Sequence, residues 1–273
     1  MTSPALQEIV ALLGCPAAGH PAQYLFERAI EAAGLDWRFV TCDVAECDVD
    51  AAIVGVRALG FRGCLLSGPL RSGAMRHVTA PSPSAAFAAA VSLLERRPDG
   101  LGGHMTDGRG IVESLRAHID PAGRTAVVVG AGACGRSTAL ELALAGAAGV
   151  LVTDPDPGAA MGLVEALAAV HAAEAECLPW SPGVEVPDHA AIVVLAPTAA
   201  PACLGGLRPD LVVADTTLSG RLTPAAQHAA AQGCCMVDGI EIHAVQTAID
   251  FQTLSGIEPD VEMLREALEE FLS

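Results

Sequence analysis

The chain has 273 residues, 52% of them hydrophobic and 3% aromatic, which allows one large or two ordinary domains built on Ala/Val/Leu cores. Its formal charge of −17 argues against nucleic acid and anionic membranes as partners, and no apolar run has the length of a membrane span. Lysine is absent, so no lysine can serve as acid, base or Schiff-base partner.

The N-terminal stretch MTSPALQEIVALLG lacks a basic segment before its apolar run, so it does not read as a signal peptide and the cytoplasm is the expected compartment. Cys15, Cys42, Cys47, Cys64, Cys134, Cys177, Cys203, Cys234 and Cys235 are odd in number and irregularly spaced, without a C-x-x-C pair. That pattern fits free thiols in a reducing compartment, and no metal site is expected.

In chain order, Glu8–Leu13 predicts a strand leading to Gly14, and Gln23–Ala33 a helix ended by Gly34. Phe39–Asp43 predicts a strand, Val49–Leu59 a helix ended by Gly60, and Gly63–Ser67 a third strand. Pro81–Pro83 and Arg97–Gly103 read as loops, and Arg109–Ala117 as a linker helix. Later apolar runs at Ile192–Leu195 and Leu211–Ala214 predict parallel strands. Ala225–Gln232 predicts a helix, Cys234–Val237 a short strand, and Gly239 onward and Pro259–Leu272 helices. In the last of these Val261, Leu264, Leu268, Phe271 and Leu272 share a face that needs a packing partner.

Ala126–Asp156, AVVVGAGACGRSTALELALAGAAGVLVTDPD, carries the sharpest signal. A buried strand, Ala126–Val129, meets Gly130, Gly132 and Gly135 in G-x-G-x-x-G spacing, then a helix over Arg136–Gly146 and a second strand, Gly149–Thr153, ending in Asp154. This is the first βαβ unit of a dinucleotide-binding fold. Gly130 turns the chain, Gly132 lets backbone N–H groups approach a pyrophosphate, and Gly135 lets helix and strand pack closely. The loop Gly130, Ala131, Gly132, Ala133, Cys134, Gly135 then presents a helix N-terminus to the anion, with Cys134 a small filler or a redox group. Asp154 accepts from ribose hydroxyls, or caps a turn with Pro155 and Pro157. Against a 2′-phosphate at about 4 Å its charge costs roughly 1 kcal/mol in bulk water and about 4 at an effective dielectric of 20. No arginine stands at Pro155 or Asp156 to offset that, so NAD is expected over NADP.

The order of motifs resembles the shikimate dehydrogenase family over nearly the whole chain. Gly60–Met75, GFRGCLLSGPLRSGAM, is similar to the family's G-F-K-G-x-N-V-T-x-P-x-K, and Met105–Gly108 to N-T-D-G. GAGACGR resembles the family's G-A-G-G-A-x-R loop, and Val212–Asp215 resembles the strand before the family's Tyr-Asn-Pro turn. Gly239–Gly256, GIEIHAVQTAIDFQTLSG, resembles D-G-x-x-M-L-x-x-Q-A-x-x-F-x-x-W-x-G. The resemblance implies an α/β protein of two domains flanking a cleft, the second a doubly wound Rossmann-like domain. It gives a substrate domain at 1–104, an NAD domain at 105–238, and a helical segment at 239–273 that returns to the first domain. It also implies that Asp107 and the residue at position 71 face the reacting hydroxyl, and that Gly239 lies beside the nicotinamide.

The departures are as informative. The family lysine is Arg71, and a guanidinium cannot deprotonate near neutral pH, so it can orient, anchor a carboxylate or stabilise an alkoxide but cannot be the base. The carboxylate-gripping S-x-S is replaced by GCPAAGHP over Gly14–Pro21, with His20 the nearest substitute. Leu65, Met105 and Leu218 stand where the family has asparagine, asparagine and tyrosine, and Glu241 where it has glycine. Ser67, Ser92 and Gln246 keep polar character at substrate-facing positions. Asp107 with Arg71 is the expected catalytic pair or a cleft salt bridge; His20, His104 and His243 are alternative bases. Tyr24 is either a substrate-side group or core, and Glu241 either binds substrate or caps a helix. The expected function is NAD-dependent hydride transfer on an alicyclic hydroxy acid other than shikimate. Shikimate or quinate itself, and a non-catalytic NAD-binding module, are the alternatives, and homodimerisation stays open.

Overall fold

The computed structural model describes residues 7–170, 173–197, 201–219 and 221–273. The chain forms two compact units, one of residues 1–106 with 246–273 and the other of 107–245.

The first unit contains β1 (Glu8–Gly14), α1 (Ala22–Ala32), β2 (Trp37–Asp43), α2 (Val49–Ala58), β3 (Gly63–Leu66), α3 (Leu70–Ala74), β4 (Ala80–Pro81), α4 (Pro83–Ala88), β5 (Leu93–Arg97) and β6 (Gly100–His104). Its sheet runs β2-β1-β3-β5-β6-β4. The β2, β1 and β3 strands are parallel, while β5 is antiparallel to both β3 and β6. The β5–β6 hairpin corrects the expected loop at Arg97–Gly103. Gly102 and Gly103 have weak strand propensity, but neighbouring side chains fill the space above them. A Cβ on Gly103 would meet Val78 and Val91 at 2.7 Å, and one on Gly102 would meet Arg97 at 2.5 Å.

The second unit contains α5 (Asp107–Arg116), β7 (Thr125–Val129), α6 (Ala133–Leu144), β8 (Gly149–Thr153), α7 (Pro157–Ala169), β9 (Glu174–Cys177), β10 (Gly183–Glu185), β11 (Ala190–Leu195), β12 (Cys203–Gly205), β13 (Val212–Asp215), α8 (Pro224–Ala231) and β14 (Cys235–Val237). Its main sheet is parallel throughout, in the order β14-β13-β11-β7-β8-β9. Strand order reverses at β7/β11, the mark of a doubly wound sheet. Continuous runs such as Val127–Val129 and Ile192–Val194 are fully buried, as a sheet covered on both faces requires.

Helix α9 (Gly239–Ser255) begins in the second unit and ends in the first; α10 (Val261–Leu272) belongs to the first. Phe251 lies 5.9 Å from Phe26 and 6.4 Å from Trp37 between ring centroids, and Arg62 Nε donates to Leu254 O at 2.7 Å. These contacts bind the tail to a core whose aromatic residues come from both ends of the chain. Helix α10 is capped by Asp260, which accepts from Glu262 N, and packs on α1. Its buried face is Leu264, Ala267 and Leu268, whereas Val261 and Phe271 remain exposed. The first break between units falls at Thr106/Asp107 rather than 104/105, because Thr106 is bonded to Ser92 of the first unit. The second falls inside α9, since a continuous helix needs no loop to leave one core and enter another.

Candidate active site

The glycine loop leaves the carboxyl end of β7 at the point of strand-order reversal, where open parallel sheets bind ligands. Gly130 has φ +113°, a conformation that L side chains rarely adopt, and its N–H donates to Thr153 O at 2.8 Å. A Cβ on Gly135 would fall 1.7 Å from Gly130 O, so only glycine permits this helix–strand approach. Gly132 is the N-cap of α6 and has no side chain to cap it, an arrangement suited to an anion at its first turn.

Asp154 braces this loop. Its Oδ2 accepts from Ala131 N at 2.7 Å and its Oδ1 from Asp156 N at 2.8 Å. Each carboxylate oxygen has a second lone pair, so the turn-capping and ribose-accepting roles are compatible. Asp156 caps α7 by accepting from Gly158 N at 2.8 Å, and Pro157 opens that helix. Gly239 also has a packing reason: a Cβ there would lie 2.2 Å from Thr217 O. Ala133 and Cys134 form the first turn of α6, and the Cys134 carbonyl accepts from the Ser137 and Thr138 hydroxyls.

Asp107 is the buried first residue of α5. The next residue, Gly108, donates to Ser137 Oγ at 3.1 Å and lets α5 lie against α6; a Cβ on it would meet the Ser137 backbone at 2.4 Å.

In the first unit, polar residues gather where β1 and β3 end and β5 begins. Ser67 Oγ accepts from Cys15 N at 3.1 Å, joining the ends of β1 and β3. Arg71 Nε donates to Leu66 O at 3.0 Å, which fixes the plane of its guanidinium. Ser92 is buried; its Oγ accepts from Thr106 N at 2.9 Å and lies 3.0 Å from Thr106 Oγ1. Gln246 Nε2 donates to the same Thr106 hydroxyl at 3.4 Å. Thr106 is thus the hub linking Ser92 and Gln246, and the residue reading missed it; its signal was the threonine of Met105–Gly108.

His20 precedes α1, and its Nδ1 accepts from Ala22 N at 3.2 Å. The neutral ring therefore carries its proton on Nε2 and can donate a hydrogen bond there, which speaks for an orienting group rather than a base. Desolvation by the surrounding protein, and then the charge of Arg71, push the His20 pKa below its usual 6.5. His104 Nε2 lies 3.2 Å from Glu95 Oε2, which also pairs with Arg97, and His243 is half-buried on α9. Tyr24 is neither core nor a free polar group: its hydroxyl donates to Glu270 at 2.6 Å and accepts from Arg28 at 2.7 Å. Helix α9 is capped by Asp238, which accepts from Glu241 N at 2.9 Å, while the Glu241 carboxylate takes His118 at 2.9 Å.

A doubly wound sheet, a glycine loop at its reversal point and an acid at the end of the following strand define the class of dinucleotide-binding α/β proteins. No protein-family model matches the chain. The chain is 31% identical over 273 residues to the NADP(+) shikimate dehydrogenase of Rubrobacter xylanophilus, covering 95% of each protein. The match to the corresponding enzyme of Acidiphilium cryptum is 32% over 187 residues and spans about two thirds of that relative, 65%. Among solved structures, the ligand-free 5-ketofructose reductase of Gluconobacter sp. strain CHM43 matches with a TM-score of 0.90 at 30% identity, covering 97% of this chain and 99% of that one. The chain belongs to the shikimate dehydrogenase family and is a shikimate-dehydrogenase-like oxidoreductase. Its curated relatives are named for NADP.

Proposed function

We propose that the protein transfers a hydride between a nicotinamide dinucleotide, NAD in preference to NADP, and the CH–OH or C=O carbon of a small alicyclic hydroxy acid other than shikimate or quinate. Residues 107–245 take the dinucleotide, and residues 1–106 with 246–273 take the substrate. The observation that carries the reading is Arg71 at the family lysine position, its Nε fastened to Leu66 O. So held, the guanidinium offers a fixed cation and no removable proton.

The glycine loop, the glycine N-cap of α6 and the Asp154 carboxylate fit a dinucleotide, which when bound supplies or accepts the hydride. Asp154 and Asp156 put two carboxylates at the end of β8, which disfavours a 2′-phosphate. Asp107 is the proposed proton acceptor, Arg71 the anchor for developing negative charge, and His20, Ser67, Ser92 and Gln246 the orienting polar groups. Met105, Leu65 and Leu218 make the substrate positions less polar than the family pattern, which weakens shikimate recognition.

A neutral polyhydroxy ketone is the second reading. It is favoured by the likeness to a 5-ketofructose reductase and by the missing hydroxyls in Gly14–Pro21, which a substrate without a carboxylate does not need. The deciding experiment follows nicotinamide absorbance with shikimate, quinate, other alicyclic hydroxy acids and 5-ketofructose, each with NAD(H) and NADP(H). Turnover of a hydroxy acid other than shikimate and quinate supports the main reading, and turnover of the ketone alone supports the second. Robust oxidation of shikimate or quinate overturns both, and preference for NADP overturns the role given to Asp154.

A further inference from the structure

A second cluster of reactive side chains lies wholly within residues 107–245, apart from the glycine loop. Cys235 opens β14, the edge strand of the parallel sheet, and is exposed. Its Sγ lies 3.6 Å from His118 Nδ1. The other ring nitrogen, Nε2, lies 2.9 and 3.2 Å from the two Glu241 carboxylate oxygens.

Three segments fix this arrangement. Cys235 N donates to Leu211 O at 3.0 Å, and His118 N to Leu115 O at 2.9 Å. Glu241 N is held by Asp238 Oδ1 at the start of α9. A carboxylate only accepts, so Nε2 carries the ring proton and Nδ1 offers its lone pair to the thiol. Nucleophile, base and orienting acid stand in the order that activates a nucleophile. Sulfur and carboxylate lie on opposite ring nitrogens, so they do not converge on one ion.

The local backbone separates the candidate chemistries. Acyl transfer needs N–H donors for an oxyanion, and the Cys235 N–H is spent on Leu211 O. Attack on a disulfide develops its charge on the departing sulfur and needs no such donors. The chain charge of −17 disfavours anionic reagents.

We propose that Cys235 is a site of reversible thiol–disulfide exchange with small uncharged disulfides, with His118 as its base and Glu241 as the group that positions His118. Cys235 Sγ attacks one sulfur of the disulfide and its proton passes to His118 Nδ1. The S–S bond of the reagent breaks as the new bond forms. The second sulfur departs with the electron pair and takes the proton from the imidazolium. Cys235 is oxidised to a mixed disulfide, and one half of the reagent is reduced to a thiol.

The molecule contains its own controls. Cys47, Cys177 and Cys203 are also exposed, and no imidazole partner is found for them among the described residues. Cys64 is buried, and burial pushes its thiol up to about 12. The test treats the whole folded protein with 2-hydroxyethyl disulfide near neutral pH and maps adducts by peptide mass spectrometry, with fragmentation separating Cys235 from Cys234. Cys235 should be modified at least about tenfold faster than the fastest of Cys47, Cys177 and Cys203, a modest share of what a positioned base supplies. His118→Gln should bring it down to their rate, and Glu241→Gln should leave it in between. A wild-type Cys235 rate equal to the controls overturns the proposal, as does a folded His118→Gln variant that reacts unchanged. The wild-type comparison stands without any variant, and circular dichroism reports whether each variant folds.

Discussion

The Asp154 carboxylate accepts the backbone N–H of Ala131 at 2.7 Å, so the acid that answers the glycine loop in sequence also holds that loop in space. A hydrogen bond to a charged group contributes roughly 1.5–3 kcal/mol. Asp154→Ala should therefore loosen the loop and raise the dissociation constant for NAD by about tenfold or more. Asp154→Asn should retain part of the tether but remove the charge, narrowing the difference between NAD and NADP. Titration calorimetry with both dinucleotides measures the two effects. A variant that keeps full discrimination would show that Asp154 does not set it.

Gly135→Ala should damage the dinucleotide unit as a whole. Its Cβ would sit 1.7 Å from Gly130 O, a backbone atom that cannot turn aside. Overpacking costs about 1–3 kcal/mol, and more where backbone must move. A fall in thermal midpoint together with loss of dinucleotide binding is expected. Gly162→Ala, inside α7 with open space around the added methyl, should instead raise the thermal midpoint slightly, through about 0.5–1 kcal/mol of helix propensity, and leave binding unchanged.

Asp107→Asn should lower turnover by about 10²- to 10⁴-fold, the usual contribution of a positioned acid or base. Its dissociation constant for the dinucleotide should stay within about twofold of wild type, because the change removes charge without altering size. Arg71→Lys should not restore shikimate oxidation, since Gly14–Pro21 still lacks serine. Steady-state kinetics and cofactor titration of both variants check this pair.

His20 predicts a pH dependence whose sign follows from its lowered pKa. As pH falls below 6.5 the unfolded chain binds a proton at this residue before the folded chain does, so stability declines with falling pH. The contribution is present above the ordinary pKa and is lost as pH drops through the lowered one. The geometry agrees, because protonating Nδ1 removes the acceptor of the Ala22 N–H. Thermal midpoints across this range should fall less steeply for His20→Gln than for wild type.

Ser92→Ala should destabilise the first unit by about 1–3 kcal/mol, because the buried Thr106 N–H loses its acceptor and the Thr106 hydroxyl is left with Gln246 alone. Urea denaturation would report the change as a lower midpoint at an unaltered slope. Substitution by Thr, which keeps the hydroxyl, should recover part of it.

Local periodicity and spacing made the second unit legible. The strand over Gly149–Thr153 falls where it was expected, as do the glycine loop and the start of α9 at Gly239. These are near-neighbour effects: a buried parallel strand needs a continuous apolar run, and a loop against a helix start needs glycine. The first unit was less legible. Gly100–His104 pairs as a strand because Val78, Val91 and Arg97 fill the space above its glycines, and none of those contacts is visible in the segment itself. Folding back the tail depends on Phe251 meeting Phe26 and Trp37, residues more than two hundred positions away in sequence.

By itself, the sequence determined the class of fold, the glycine cradle and the departures at Arg71, Leu65, Met105 and Leu218, because each rests on residue type and spacing. Only the tertiary structure decided what each polar group is bonded to. It gave Asp154 to Ala131, Nδ1 of His20 to Ala22, Ser92 to Thr106, and Glu241 to His118 rather than to the cap of its own helix. A side chain's partner is whatever donor or acceptor the fold brings within about 3 Å, and that proximity is a property of the folded chain rather than of any segment of it.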